Sequence, residues 1–132
     1  MMHYKSTTKE IEVIVTPEFI DSQISSNGNV YIWAYHVQIR NNSNETVQLV
    51  NRYWKIIDEI GGTQEVRGMG VVGEQPVLPP NSEFKYSSGV HLRYPSGIMS
   101  GHYEMKNEKE EVVDIAIPAF SLDTPGGNSV VN

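Results

Sequence analysis

Cysteine is absent from this chain of 132 residues, which removes thiol catalysis, a disulfide framework and the thiolate zinc sites from consideration. A reducing compartment fits. Long apolar runs are missing as well: nothing approaches the length of a membrane span, and Met1 to Glu10 hold no apolar stretch of signal-peptide size. The expectation is a cytoplasmic protein with no membrane partner. Positive charge is scarce and scattered, with 10 basic residues against 16 acidic ones and a net charge of −6. Phosphate-backbone binding needs a local surplus of Lys and Arg, so no nucleic acid partner is expected. No window sustains a helical period, and there is no internal repeat. No long helix is expected.

What is present is alternation at period two. Ile11, Val13 and Val15 alternate with Glu10, Glu12 and Thr16, which reads as a strand with one buried face, closed by Pro17. After the Asn27-Gly28 turn signal, Tyr31, Trp33, Tyr35, Val37 and Ile39 share one face and Ala34, His36, Gln38 and Arg40 the other. The polar run Asn41-Asn42-Ser43-Asn44 leads to a third strand. There Val47 and Leu49 are in phase, but Trp54, Ile56 and Ile60 are in the opposite phase, so a bulge is placed near Asn51-Arg52. Gly61-Gly62 suits a two-residue hairpin into Thr63 to Arg67. Short strands flank Pro79-Pro80-Asn81-Ser82, with Phe84 and Tyr86 inward. Met99, Gly101, Tyr103 and Met105 then form a hairpin with Val113, Ile115 and Ile117 through the turn at Asn107-Glu108-Lys109. Seven or eight antiparallel strands in one domain, residues 1–125, read as an all-β sandwich. Residues 126–132 read as a flexible tail.

One stretch imitates a nucleotide-binding signature. Gly68, Gly70 and Gly73 are spaced as in the Gly-x-Gly-x-x-Gly turn that opens a helix onto a pyrophosphate. Pro76, Pro79 and Pro80 follow within a few residues, and a helix cannot start across them. The stretch is a glycine-bent loop at a sheet edge, its N–H groups partly unpaired. Without a helix it still has one chemistry open to it, an anion held in converging N–H groups with Arg67 or Arg52 as the cation. The alternative is that the glycines only bend the edge or permit close backbone approach. The candidate partner or anion-binding loop is Arg67, Gly68, Gly70, Gly73 and Gln75. Val71 and Val72 within it either pack inward or meet a partner.

Catalytic and metal motifs are thin. No Gly-x-Ser-x-Gly elbow surrounds Ser87, Ser88, Ser96 or Ser100, and Asp58, Glu59, Glu108, Glu110 and Glu111 fall in turns or at strand ends. His3, His36, His91 and His102 form neither His-x-His nor His-Glu-x-x-His. The weak metal candidates are His36 and His102, paired across strands and joined by Glu104. No enzyme and no cofactor are expected.

Trp33-Ala34-Tyr35 through Ile39-Arg40-Asn41, Arg52-Tyr53-Trp54, Gly68 to Pro76, Tyr86-Ser87-Ser88-Gly89, Gly97 to Met105 and Ile117-Pro118-Ala119-Phe120 together resemble the ApaG family, in order, from about Ile11 to about Pro125. The resemblance implies an immunoglobulin-like or fibronectin type III-like antiparallel sandwich. It also implies an indirect link to cobalt tolerance and magnesium efflux, and a domain used elsewhere for protein recognition. Two functions are in view. One is a non-enzymatic interaction module with a protein partner or a second copy of itself; the other is a sensor that binds a pyrophosphate-containing nucleotide through the Gly68 to Gly73 loop.

Overall fold

Alternating β-branched and aromatic residues need a pleated surface with one face covered, and the chain meets that need with two packed sheets. The computed structural model describes residues 1–125, and its strands are β1 (Tyr4–Thr8), β2 (Ile11–Ser25), β3 (Gly28–Asn41), β4 (Val47–Asp58), β5 (Thr63–Met69), β6 (Val77–Leu78), β7 (Glu83–Leu92), β8 (Ser96–Lys106) and β9 (Val112–Asp123). There is no helix among the described residues. The expected tail, 126–132, lies outside them.

The sheets run β1-β2-β3-β7 and β5-β4-β8-β9, every pair antiparallel, and β6 pairs with the start of β4. Set β1 aside and three strands face four, the division of a fibronectin type III-like sandwich. The inward rows are those the alternation marks. Val13, Val15, Val37, Ile39, Leu49, Tyr103, Met105 and Ile115 are fully or almost fully buried. Trp54 lies edge-on to Tyr35 at 5.1 Å and to Phe120 at 5.9 Å between ring centroids. That geometry favours aromatic pairs beyond their buried area.

Several expectations need correction. Pro17 does not close β2, which continues to Ser25 with Pro17 opposite Tyr35. Strand β1 reaches only Val15, so Pro17 sits where β2 has become an edge, and edges tolerate a missing N–H. The hairpin between β4 and β5 is not a two-residue Gly61-Gly62 turn. Four residues, 59–62, separate the strands, Gly61 alone of the two glycines has positive φ, and the Asp58 carboxylate accepts from the N–H groups of Ile60 and Gly62 at 3.1 and 2.8 Å. Ile60, expected inward, is 68% exposed in that loop. β1 escaped the sequence reading because Tyr4 to Thr8 lacks an apolar row. The expected bulge is present one residue early: β4 slips against β8 between Leu49 and Asn51. It lets Leu49 and Trp54, on opposite phases of one strand, both face the core, and it brings Arg52 onto the inward row with Trp54 and Ile56.

Asn41 is the buried polar residue of this interior. Its Nδ2 donates to the carbonyls of Glu45 and Leu78, both at 2.8 Å, and its Oδ1 accepts from the Ser43 N–H and hydroxyl. A buried amide with its partners present costs little and fixes geometry. Here it ties the β3–β4 connection to β6.

Candidate interaction groove

The two sides of the sandwich differ. On one, β1 and β9 are joined across the sheets: the Ser6 hydroxyl donates to the Ala116 carbonyl at 2.9 Å, and the Ala116 N–H to the Thr8 hydroxyl at 3.2 Å. On the other, β5 and β7 are the terminal strands of their sheets, and no hydrogen bond joins them among the described residues. Between them lies a cleft of about 360 Å³, floored by Trp54, Tyr35 and Met99 and walled by Gln64 and Val66 of β5 and Ser88 and Val90 of β7, with Arg52 lining it. A second depression of about 270 Å³ shares Ile56, Gln64 and His91 with it and reaches Asp58 and Arg93. The two make one groove along the open side.

Register explains which side chains face this space. Arg52, Trp54 and Ile56 of β4 stand directly opposite Gly68, Val66 and Gln64 of β5, and opposed residues on paired strands share a face. Arg52 therefore stands on the inward row beside Trp54 and Ile56. Its Nη1 donates to the carbonyls of Met69 and Gly70 at 3.0 and 2.9 Å, and no carboxylate pairs with it among the described residues. The indole N–H of Trp54, a side chain only 2% exposed, has no acceptor either. Burial pushes the hydroxyls of Tyr86 and Tyr103 well above the ordinary tyrosine range; they hydrogen-bond each other across the core, and the Arg52 charge opposes the rise in both.

The glycine loop is built differently from an anion nest. Strand β5 leads into Gly70 (φ 61°), and Val71 and Glu74 exchange N–H···O bonds at 2.8 and 2.9 Å around Val72 (φ 42°) and Gly73 (φ 81°). Two consecutive positive φ values between bonded partners make a tight turn of the primed hairpin kind. The Gly70 N–H donates to the Val50 carbonyl at 2.8 Å, which also accepts from the Gln75 side chain at 2.9 Å. The N–H groups of Gly70, Val71 and Glu74 are thus bonded within the fold and are not free to converge on an anion. Arg67 lies over the Tyr53 ring at 4.4 Å, and Arg52 is turned toward carbonyls. Of the two valines, Val71 packs inward at 1% exposure and Val72 is 56% exposed. The same segment exposes Met69 and Val77.

His36 and His102 are not brought together. His36 is on β3 and bonds Ser87 at 2.6 Å and Glu18 at 2.8 Å, whereas His102 is on β8 in the other sheet, stacked on Tyr53 at 5.0 Å. Strand adjacency in sequence says nothing about sheet membership, and that defeats the pairing. His102 does share a site with Glu104, its neighbour but one, and with Asp114, which faces Glu104 from β9; their ligand atoms lie within 4.8 Å of one another. One imidazole and two carboxylates is a divalent-cation donor set, here on a solvent-facing surface with Glu104 also held by Asn51 at 2.9 Å. No helix of the described residues is long and apolar enough to cross a membrane.

The features that sequence reasoning did not assemble are Val66, Ser88 and Trp54 as walls and floor of one groove. The signal for Arg52 was there: a bulge before it puts Arg52 in step with Trp54 and Ile56.

Comparison with known proteins agrees with the fold. The family profile described as the ApaG domain matches residues 21–107. The chain is 55% identical to Protein ApaG of Paramagnetospirillum magneticum, covering 92% of this chain and 94% of that one, and 51% identical to Protein ApaG of Agrobacterium fabrum over 98% and 99%. Among solved structures, the structural-genomics target SoR45 superposes with a TM-score of 0.85 at 42% identity, covering 89% of each chain. A Bordetella pertussis protein titled ApaA superposes at 0.81 with 37% identity, covering 90% of this chain and 97% of that one. The chain belongs to the ApaG family.

Proposed function

We propose that this protein is a non-enzymatic interaction module that takes up an extended segment of a partner protein along its open side, between β5 and β7. The observation that carries the reading is the pair of terminal strands facing each other across a groove with Trp54, Tyr35 and Met99 at its floor and polar side chains along its walls. A terminal strand offers a row of backbone donors and acceptors, and an added strand both satisfies them and covers the floor. Residues 52–58 of the groove span about 20 Å, room for roughly six or seven residues of extended chain. Lys85 and Glu83 guard the start of β7, but Ser87-Ser88-Gly89-Val90 beside the cleft is uncharged, so the usual defence against strand addition is missing where the groove is deepest. Any part in cobalt tolerance or magnesium efflux is then indirect and runs through the partner.

The test is a scan with a photo-crosslinking side chain at Gln64, Ser88 and Val90, against Glu12 and Lys109 away from the groove, in the cells that make the protein. The reading expects one discrete adduct from the groove positions, with the linkage confined to a short segment of the partner. Adducts only from Glu12 or Lys109, or none from the groove, would overturn it. An adduct to a second copy of this chain would reassign the groove to homo-oligomerisation.

A further inference from the structure

The groove has a chemical preference built into its floor. Arg52 has five N–H donors in a fixed fork, and the two on Nη1 are engaged by the Met69 and Gly70 carbonyls. The remaining edge, Nε with Nη2, is the one that takes a carboxylate bidentately. Two residues along the same inward row, the Trp54 indole N–H is buried and unpartnered. A buried donor left without an acceptor is costly, and here it shares a strand face with a cation that no carboxylate among the described residues pairs, an arrangement that an acidic ligand would satisfy. From the opposite wall, Ser88 lines the same cleft with a hydroxyl. The described residues lining this cleft include no carboxylate; Asp58, further along the same row, accepts from the Ile60 and Gly62 N–H groups.

We infer that the cleft between β5 and β7 is a carboxylate-binding subsite, in which Arg52, Trp54 and Ser88 receive an acidic side chain of the extended partner segment. The inference rests on the strand-uptake reading and adds to it the chemistry of the partner. Charge complementarity selects the occupant: a cation in a cleft whose lining holds no carboxylate favours an extended segment with a single acidic residue flanked by uncharged ones. A neutral segment would leave the guanidinium edge and the indole unpaired, and a segment with lysine at this position would be repelled.

The experiment uses the full chain and two capped peptides, Thr-Val-Thr-Glu-Thr-Val-Thr and its twin with glutamine at the centre, followed by the indole N–H resonances in proton–nitrogen spectra. Trp33 is the internal control, since its indole is also buried and unpartnered but does not line the cleft. The glutamate peptide should shift the Trp54 signal and leave Trp33 in place. It should bind at least about tenfold more tightly than the glutamine peptide, as one charge-assisted bidentate pair provides. Arg52→Gln should remove that difference. Because Arg52 also holds the glycine loop, Arg52→Lys and Ser88→Ala serve as milder variants, each expected to narrow the difference with the Trp33 signal unchanged. Equal perturbation of β7 by both peptides would overturn the carboxylate subsite and leave strand uptake standing. A Trp54 shift as large with glutarate alone as with the peptide would overturn the peptide occupant, and inorganic phosphate acting in place of either would overturn the carboxylate. Silence with both peptides would overturn the subsite, whereas strand uptake itself stands or falls with the crosslinking scan.

Discussion

The guanidinium of Arg52 occupies the space that a side chain at Gly68 would need: an added Cβ would stand 2.8 Å from Cζ, Nη1 and Nη2 alike. Gly68 is a seat for a cation, and the cation in turn holds the carbonyls at Met69 and Gly70. Gly68→Ala should therefore displace Arg52 and cost about 1–3 kcal/mol, the price of hydrogen bonds to a charged group. In an Arg52→Met background the same substitution should cost much less. Urea unfolding of the four proteins measures the coupling; equal costs in both backgrounds would mean that the seat has no energetic role.

The three glycines of the motif answer to three separate constraints, and their substitutions should separate accordingly. At Gly70, φ is 61° and a Cβ would lie 2.2 Å from the Glu74 carbonyl oxygen, while at Gly73 φ is 81° with open space around it. Gly70→Ala should cost about 2–4 kcal/mol and Gly73→Ala about 1 kcal/mol. Val72 has the left-handed backbone that a β-branched residue tolerates poorly, and it is exposed. Val72→Asn should raise stability by about 1 kcal/mol. Thermal unfolding checks all three, and a destabilised Val72→Asn would contradict the turn geometry.

These positions show how far the sequence could be read. Alternation located the inward rows from Ile11 to Ile117, because burial acts on side-chain direction, which period two fixes locally. It also located the bulge in β4 within a residue, since only an extra residue reconciles Leu49 with Trp54. The prolines after Gly73 were enough to reject the nucleotide fold. Which strands become neighbours is not local, so the groove between β5 and β7 and the separation of His36 from His102 had no periodic trace. Nor did the state of the loop's N–H groups, because their acceptors at Val50 and Glu74 are set by pairing and turn type. Pro17 misled because a proline ends a central strand but not an edge.

The Tyr86 and Tyr103 hydroxyls satisfy each other in a dry interior. Tyr86→Phe alone leaves Tyr103 with a buried unpaired hydroxyl and should cost about 1–3 kcal/mol, whereas the double Phe variant should be close to neutral. Both folded-state pKa values are raised above the unfolded value near 10, chiefly by burial. Above that pH the unfolded chain releases protons that the native state keeps. Stability contributed by these groups is therefore intact below about pH 10 and falls at higher pH, by about 1.4 kcal/mol per pH unit for each group. Denaturation midpoints between pH 8 and 11 should decline less steeply in the double Phe variant.

The donor set at His102, Glu104 and Asp114 offers three ligand atoms on an exposed sheet face. Titration with Co²⁺ or Mg²⁺ should give no stoichiometric site tighter than about micromolar, because a half-open set with one donor already bonded to Asn51 supplies only part of a coordination shell. A tight one-to-one isotherm lost in His102→Ala would overturn that expectation.

Docking of a partner on the open side of the sandwich leaves a direct signature in the amide hydrogen exchange of the complex with the crosslinked partner. Uptake of a strand there predicts new protection of backbone amides in β7, β5 or both, with β1 and β9 exchanging as in the free protein. New protection confined to the loop from Gly70 to Glu74, or to the outer face of either sheet, would contradict it.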